Sequence, residues 1–418
     1  MLNESASSFR SLGINEKLAA HLDTLKFVIP TPVQHQAIPI ALQGKDLVGV
    51  AQTGTGKTLA FGLPMVQQLS TGRGIALVLV PTRELAIQVE QVLKDLCRPF
   101  GLKTAVIIGG ASMPTQIAEL RRQPRIIIAT PGRLIDHLDK KTVLLFDAKF
   151  LVLDEADRMF DMGFAPQVKR ILQVLPAKRQ TLLFSATMPP EIVKIATQYM
   201  STPFNVEIAP QGAAADKVTQ ELFIVRKNDK KDLVLKLLKT YAGTVLIFTR
   251  TKFGAKALTQ QLRAHGHQAA EIHSNRSLSQ RKEALEGFKS GRYRILIATD
   301  IAARGIDVTD IELVLNFDLP DESENYVHRI GRTARAGKTG HAISIATPEQ
   351  GLNVRRIERL IRNEIAVSQH PEILSATFDY SQQEIKSPSR GGYGSRPSHG
   401  SRPASSSRPR FSSKPQRR

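Results

Sequence analysis

Short apolar runs alternate along the chain with longer stretches whose apolar residues recur at helical spacing. One set of runs lies at residues 47–50, 75–80, 104–108, 125–129, 150–153 and 181–184. A second lies at 245–248, 269–272, 295–298, 313–317 and 342–346. Runs this short, rich in Val, Ile and Leu, predict strands buried on both faces, as in parallel sheets. The stretches between them, such as 82–96 and 252–265, predict amphipathic helices. A strand-then-helix rhythm over 47–205, repeated over 217–350, predicts an α/β fold of two tandem, doubly wound units with parallel sheets. None of the runs approaches the roughly 20 residues of a membrane-spanning helix, so no membrane association is expected.

Two breaks in composition punctuate this rhythm. Pro210, Gly212 and Ala213–Ala215 sit between the two sets and fit a hinge. After about Tyr380 the chain becomes Ser, Arg, Pro and Gly with hardly any aliphatics, a composition that buries too little to offset its ordering entropy. The expected division is a first domain at 1–207, a linker at 208–216, a second domain at 217–379 and a disordered basic tail at 380–418. Lys and Arg number 58 against 38 Asp and Glu, a formal net charge of +20. The excess is concentrated at the C-terminal end, which points to a polyanionic partner. The N-terminus lacks a basic segment followed by an apolar one, and Cys97 is the single cysteine. No intrachain disulfide forms, which suits a reducing cytoplasm, and Cys97 reads as structural.

Two motifs carry chemistry. Ala51-Gln52-Thr53-Gly54-Thr55-Gly56-Lys57-Thr58 follows the first strand and opens a stretch that is helical in pattern apart from Gly62 and Pro64. Gly54 and Gly56 let backbone N–H groups approach phosphates, and a helix N-terminus adds partial positive charge. Lys57 would reach the β- and γ-phosphates and Thr58 would ligate Mg²⁺. Asp154-Glu155-Ala156-Asp157 ends another strand. There Asp154 can face the metal through water, and Glu155 can orient and deprotonate the attacking water. Together they describe a site for ATP and Mg²⁺. Upstream, Phe27 offers a stacking surface and Gln34 an amide that can pair with adenine. A buried Phe and a surface Gln would explain that pair equally well.

Taken together these residues resemble a DEAD-box ATP-dependent RNA helicase, from about Phe9 to about Ala346. The resemblance implies two tandem RecA-like P-loop domains. Residues 27–34 resemble an adenine-sensing motif, with Phe9 at its upstream aromatic and Thr53 and Thr55 in the phosphate loop. Pro81-Thr82-Arg83, Gly109-Gly110 and Thr130-Pro131-Gly132-Arg133 resemble RNA-backbone motifs, as does Arg250 in 245–251. Ser185-Ala186-Thr187 resembles the segment coupling hydrolysis to strand separation. Residues 298–307 match a motif touching RNA through Thr299 and nucleotide through Asp307. Residues 326–335 match the arginine-finger motif, with Arg332 and Arg335 as fingers and His328 in a coupling role. The wording of 273–281 and 300–307 is most similar to the bacterial RhlE-like branch. His273-Ser274-Asn275 departs from the frequent His-Gly form, which leaves its RNA role open.

The implied partner is RNA, single-stranded or in short duplexes and without sequence preference, because backbone amides and hydroxyls position a strand without reading it. The same polar loops also fit turn and helix-cap chemistry. Arg332 and Arg335 reach a phosphate on the first domain only if the domains close, so hydrolysis would depend on closure. The tail cations Arg396, Arg402, Arg408 and Arg410 would add nonspecific RNA affinity, or merely solubility. A monomer is expected, with ribosome-assembly or RNA-degradation proteins as partners. A DNA translocase and an ATP-dependent RNA clamp use similar cores; the Gln34 segment and the Thr82 and Thr130 motifs argue against the first.

Overall fold

The computed structural model describes residues 8–51, 54–208, 218–303, 311–333 and 340–379. The tail at 380–418 and all of the expected linker except Ile208 lie outside them. The first lobe runs α1 (Glu16–Thr24), α2 (Pro32–Leu42), β1 (Leu47–Val50), α3 (Lys57–Thr71), β2 (Ile75–Leu79), α4 (Arg83–Cys97), β3 (Thr104–Ile107), α5 (Met113–Arg121), β4 (Ile126–Ala129), α6 (Pro131–Asp139), β5 (Ala148–Leu153), α7 (Ala156–Asp161), α8 (Ala165–Val174), β6 (Gln180–Ser185), α9 (Pro190–Tyr199) and β7 (Phe204–Glu207). The second runs β8 (Val218–Ile224), α10 (Lys230–Thr240), β9 (Val245–Phe248), α11 (Lys252–Ala264), β10 (Ala269–Ile272), α12 (Leu278–Lys289), β11 (Ile295–Ala298), α13 (Asp300–Ala303), β12 (Leu313–Asn316), α14 (Ser323–Ile330), β13 (Gly340–Ala346), α15 (Gly351–Ile361) and β14 (Ala366–Val367).

Each lobe is built on a seven-stranded sheet. The orders are β3-β4-β2-β5-β6-β1-β7 and β10-β11-β9-β12-β13-β8-β14. Adding seven to each strand number of the first gives the second, so the repeated rhythm in sequence is a repeated topology. Every pairing is parallel, which obliges each connection to cross over, mostly through a helix. Alternate residues of one strand feed opposite faces. In β2, Ala76 and Val78 join one core cluster while Leu77 and Leu79 join the other. In β9, Val245 and Ile247 face one side and Leu246 and Phe248 the other. These two-sided cores account for the uninterrupted apolar runs.

The expected strands are all present, with ends shifted by a residue or two. Of three further strands, β7 and β14 carry no such run, while β8 ends in the apolar Leu222-Phe223-Ile224. β7 and β14 lie at sheet edges, largely exposed, and β8 is covered on one side only by the two-residue β14. α3 continues through Gly62 and Pro64. A Cβ at Gly62 would lie 2.9 Å from Leu93 Cδ2, so the glycine lets α4 pack closely. Cys97 is buried in this core, and burial pushes its thiol up to about 12.

Gly49 faces the Phe184 ring within the sheet, where a Cβ would sit 2.6 Å from Cδ1. Phe184 is fully buried and packs on Phe61. Gly49→Ala should therefore destabilise the protein by roughly 1–3 kcal/mol, read as a lower denaturant midpoint at unchanged slope.

Candidate nucleotide and nucleic-acid site

The carboxyl edge of the first sheet divides in two. The phosphate loop, the acidic motif and Ser185-Ala186-Thr187 leave β1, β5 and β6, which are neighbours. Pro81-Thr82-Arg83, Gly109-Gly110 and Thr130-Pro131-Gly132-Arg133 leave β2, β3 and β4, which are also neighbours. Ligands of open parallel sheets bind outside this edge, so the topology alone separates the motifs expected at the nucleotide from those expected at RNA.

Gly54 and Gly56 adopt φ +87° and +91°, the left-handed region that favours glycine. Gly56 is constrained twice, since a Cβ there would overlap Gln34 Nε2. That Nε2 donates to the Gly56 carbonyl at 3.0 Å, while Gln34 Oε1 accepts from the Thr31 N–H at 2.9 Å. Thr31 Oγ1 donates to the Thr55 carbonyl at 2.7 Å. Gln34 is 2% exposed and Phe27 40%, the reverse of a buried Phe beside a surface Gln. The amide has a second N–H and a second acceptor position for an adenine edge. Phe9, expected beside the nucleotide, is 4% exposed and packs against the first core. Thr53 lies outside the described residues.

Lys57 is buried, with Nζ donating to the Ala51 carbonyl at 3.0 Å and lying 4.0 Å from Asp154 Oδ1. Thr58 follows in the first turn of α3, half-buried. Burial pushes Asp154 up to about 6, against the pull of Lys57 and with Glu155 adding repulsion. No cluster of three or more His, Cys, Asp or Glu among the described residues forms a cation cage. The buried Asp154 carboxylate and the Thr58 hydroxyl are oxygen donors of the kind Mg²⁺ takes when phosphates and water complete its shell.

Glu155 occupies the left-handed region at φ 54°, ψ 51°, a strained backbone for a non-glycine residue. Its Oε2 accepts from Arg158 Nη1 at 2.7 Å, and both side chains are buried. Asp157 ties the acidic motif to the coupling segment. Its Oδ2 accepts from the N–H groups of Ala186 and Thr187 at 3.0 and 2.9 Å and from Thr187 Oγ1 at 3.1 Å. The Asp157 N–H donates to Ser185 Oγ at 3.1 Å.

On the RNA half, the Arg83 guanidinium lies over Gly110, which adopts φ +79° and where a Cβ would overlap Arg83 Nη1. Arg133 Nη1 donates to the Ala111 carbonyl at 2.9 Å. Pro81 is buried, and Thr82 caps α4 by accepting from the Leu85 N–H at 3.2 Å. Thr130 precedes α6, and Gly132 opens on space. In the second lobe, the Arg250 N–H donates to Asp318 Oδ2 at 3.0 Å and its Nε lies 3.3 Å from Asp321 Oδ1. Half-buried Thr299 ends β11 through a 3.4 Å bond to the Ile272 carbonyl.

The lobes meet through charged groups. Arg281 Nη2 of α12 lies 2.9 Å from Glu84 Oε2 of α4, both buried. Burial pushes the Arg281 guanidinium below its ordinary range, opposed by Glu84. Arg158 of the first lobe lines a cavity of about 20 Å³ with Phe248, Asp300, His328, Arg329 and Arg332 of the second. Burial pushes His328 down to about 4; Arg158 adds to this and Asp157 opposes it. Arg329 is held by Asp300, with Nε 2.6 Å from Oδ1. Asp307 and Arg335 lie outside the described residues.

A family described as DEAD/DEAH box helicase matches residues 31–195, and the helicase conserved C-terminal domain matches 229–337. The chain is 40% identical to the ATP-dependent rRNA helicase RRP3 of Candida albicans, over 93% of this chain and 76% of that protein. The chain belongs to the DEAD-box helicase family. It is 39% identical to the DEAD-box ATP-dependent RNA helicase RhpA of Helicobacter pylori, over 88% of this chain and 75% of that one. S. cerevisiae Dbp5 bound to RNA and ADP BeF3 superimposes with a TM-score of 0.78 at 28% identity, covering 87% of this chain and 96% of that one. Mss116p bound to ssRNA and AMP-PNP gives 0.80 at 28%, covering 88% and 81%. Both lobes of this helicase thus superimpose together on nucleic-acid-bound relatives.

The sequence pattern did not reveal Arg158, Asp157 as a tie, or the Glu84–Arg281 pair. The first two stand inside or beside the acidic motif, whose chemistry points first to the metal and the water. The third joins residues almost two hundred positions apart, and no spacing signals it. Truncating one partner of a buried interfacial charge pair costs about 2–5 kcal/mol. Arg281→Ala should therefore oppose closure, lowering lobe-to-lobe energy transfer with RNA and a non-hydrolysable ATP analogue while leaving the first unfolding transition intact. His328 gives a pH dependence. Facing water in separated lobes, it would titrate near 6.5; buried between them, near 4. Its neutral form favours closure, so closure is full above about 6.5 and weakens as pH falls toward 4. His328→Gln should flatten that limb of the energy-transfer profile. Asp154 lies wholly in the first lobe and is untouched by the substitution, so the difference between wild type and the Gln variant reads the histidine.

Proposed function

We propose that the protein is an ATP-dependent RNA helicase in which joint binding of ATP and RNA closes the two lobes, so that hydrolysis is coupled to local separation of short duplexes or remodelling of RNA–protein complexes. The observation that carries this reading is the seam: His328 and Arg332 of the second lobe share one small cavity with Arg158 of the first, whose guanidinium holds Glu155.

In this reading Thr55, Gly54, Gly56 and Lys57 hold the phosphates, with Gln34 and Phe27 at the base and Thr53 and Asp307 completing the site. Thr58 and Asp154 hold Mg²⁺, which when bound neutralises charge on the phosphoryl oxygens. Glu155 accepts the proton of the attacking water with one oxygen while Arg158 fixes the other. Arg332 and Arg335 stabilise charge that develops on the phosphoryl group. Pro81, Thr82, Arg83, Gly110, Thr130, Gly132, Arg133, Arg250 and Thr299 grip the sugar-phosphate backbone, and Ser185, Thr187 and His328 couple the halves. The working division is 1–207, 208–216, 217–379 and a basic RNA-binding tail at 380–418. The wording of 273–281 and 300–307, with the bacterial relative RhpA, supports the RhlE-like branch, although RRP3 of fungi is equally similar. The RRP3 name supports ribosomal RNA and ribosome-assembly proteins as partners. We place a monomer in the cytoplasm; no described helix is long and apolar enough to cross a membrane.

Glu155→Gln keeps the size of the side chain and an acceptor for Arg158 but removes the base. It should leave ATP affinity within about twofold and lower RNA-stimulated turnover by roughly 10²–10⁴-fold. Wild-type turnover should rise with single-stranded RNA and little with DNA of the same sequence. Turnover indifferent to both polymers would reject the reading.

A further inference from the structure

The two sheets are topologically equivalent, so β9, β10 and β11 stand where β2, β3 and β4 stand in the first lobe. The loops leaving them lie on the RNA half of the edge. Here the second lobe carries a feature with no counterpart in the first. Thr251 caps α11 as Thr82 caps α4, each through its hydroxyl. Arg83 and Glu84 then follow in α4, but Lys252 and Phe253 in α11. Phe253 is 71% exposed. Most large apolar side chains of the lobe are buried, so this ring at a polar edge is conspicuous.

The ring is not an isolated surface apolar group. Lys252 Nζ lies 5.3 Å from its centroid, and the same Nζ donates to Asn275 Oδ1 at 3.0 Å. Asn275 belongs to the loop leaving β10, whose His273 is buried and accepts from the Asn275 N–H through Nδ1 at 3.3 Å. His273 Nε2 lies 3.4 Å from Glu271, which also pairs with Arg276. A buried chain of Glu271 and His273 thus sets Asn275, Asn275 sets the ammonium, and the ammonium lies against the aromatic ring. A cation beside an open ring suits single-stranded nucleic acid: the ring takes a base face, whatever the base, and the ammonium takes the adjacent phosphate.

We propose that Lys252, Phe253 and Asn275 form a base-stacking subsite for single-stranded RNA on the second lobe, adding stacking to an otherwise backbone-directed grip. This rests on the RNA-helicase function proposed for the protein. The chain contains no tryptophan, so Phe253→Trp creates a single emitter at the subsite. With a non-hydrolysable ATP analogue, single-stranded RNA should quench its emission. Phe253→Ala should weaken RNA affinity by about 5- to 100-fold at an unchanged salt slope, because stacking releases no counterions. Lys252→Ala should instead flatten the slope, by about 0.7 for each phosphate that is no longer neutralised. Wild-type protein that binds no RNA would overturn the RNA function itself. Wild-type binding, with Phe253→Trp unquenched and Phe253→Ala of normal affinity, would overturn the subsite alone. So would loss of binding to a protein partner with RNA affinity intact.

Discussion

Charge at the seam between the lobes is the constraint on which the arrangement depends. Glu84 and Arg281, Glu155 and Arg158, and Arg332 are all nearly removed from water, and His328 beside them is half-buried. A buried charge is tolerable only when paired, and breaking such a pair costs far more than the pair contributes. Each lobe therefore presents a surface that is comfortable in water and comfortable against its mate, but costly at partial separation. That favours two discrete arrangements over a continuum, as a switch requires.

The doubling of the sheet explains how such a seam could arise from one design. Both lobes put their loops at the carboxyl ends of strands in the same spatial order. In the proposed function, the first sheet uses one half of that edge for phosphates and the other for a polynucleotide. In the second, the helix after β12, α14, brings His328 up against Arg158 of the first lobe. One architecture thus serves two chemistries through what its loops carry.

Much of this was legible in the chain. The central strands announce themselves because both faces are covered, so no polar residue can alternate with the apolar ones. β7 and β14 stayed hidden for the opposite reason: an edge strand needs no continuous apolar run, whereas β8 does carry one at Leu222-Phe223-Ile224 and was simply isolated from the helical rhythm. The phosphate loop and acidic motif were readable because their chemistry is local in sequence. Arg332 and His328 were legible through their motif, but the side-chain pairs across the seam were not, because a pairing such as Glu84 with Arg281 exists only once two separate sheets face each other.

The carboxylate of Asp157 has a mechanical meaning beyond its bonds. One oxygen atom receives both backbone N–H groups and the hydroxyl of the segment after β6, while the backbone of the same residue is fixed by Ser185. Such a rivet leaves no play between the acid loop and the strand end beside it. In the proposed cycle a displacement of the acid loop would carry the strand end with it at full stroke, and a lever without backlash needs only a small push.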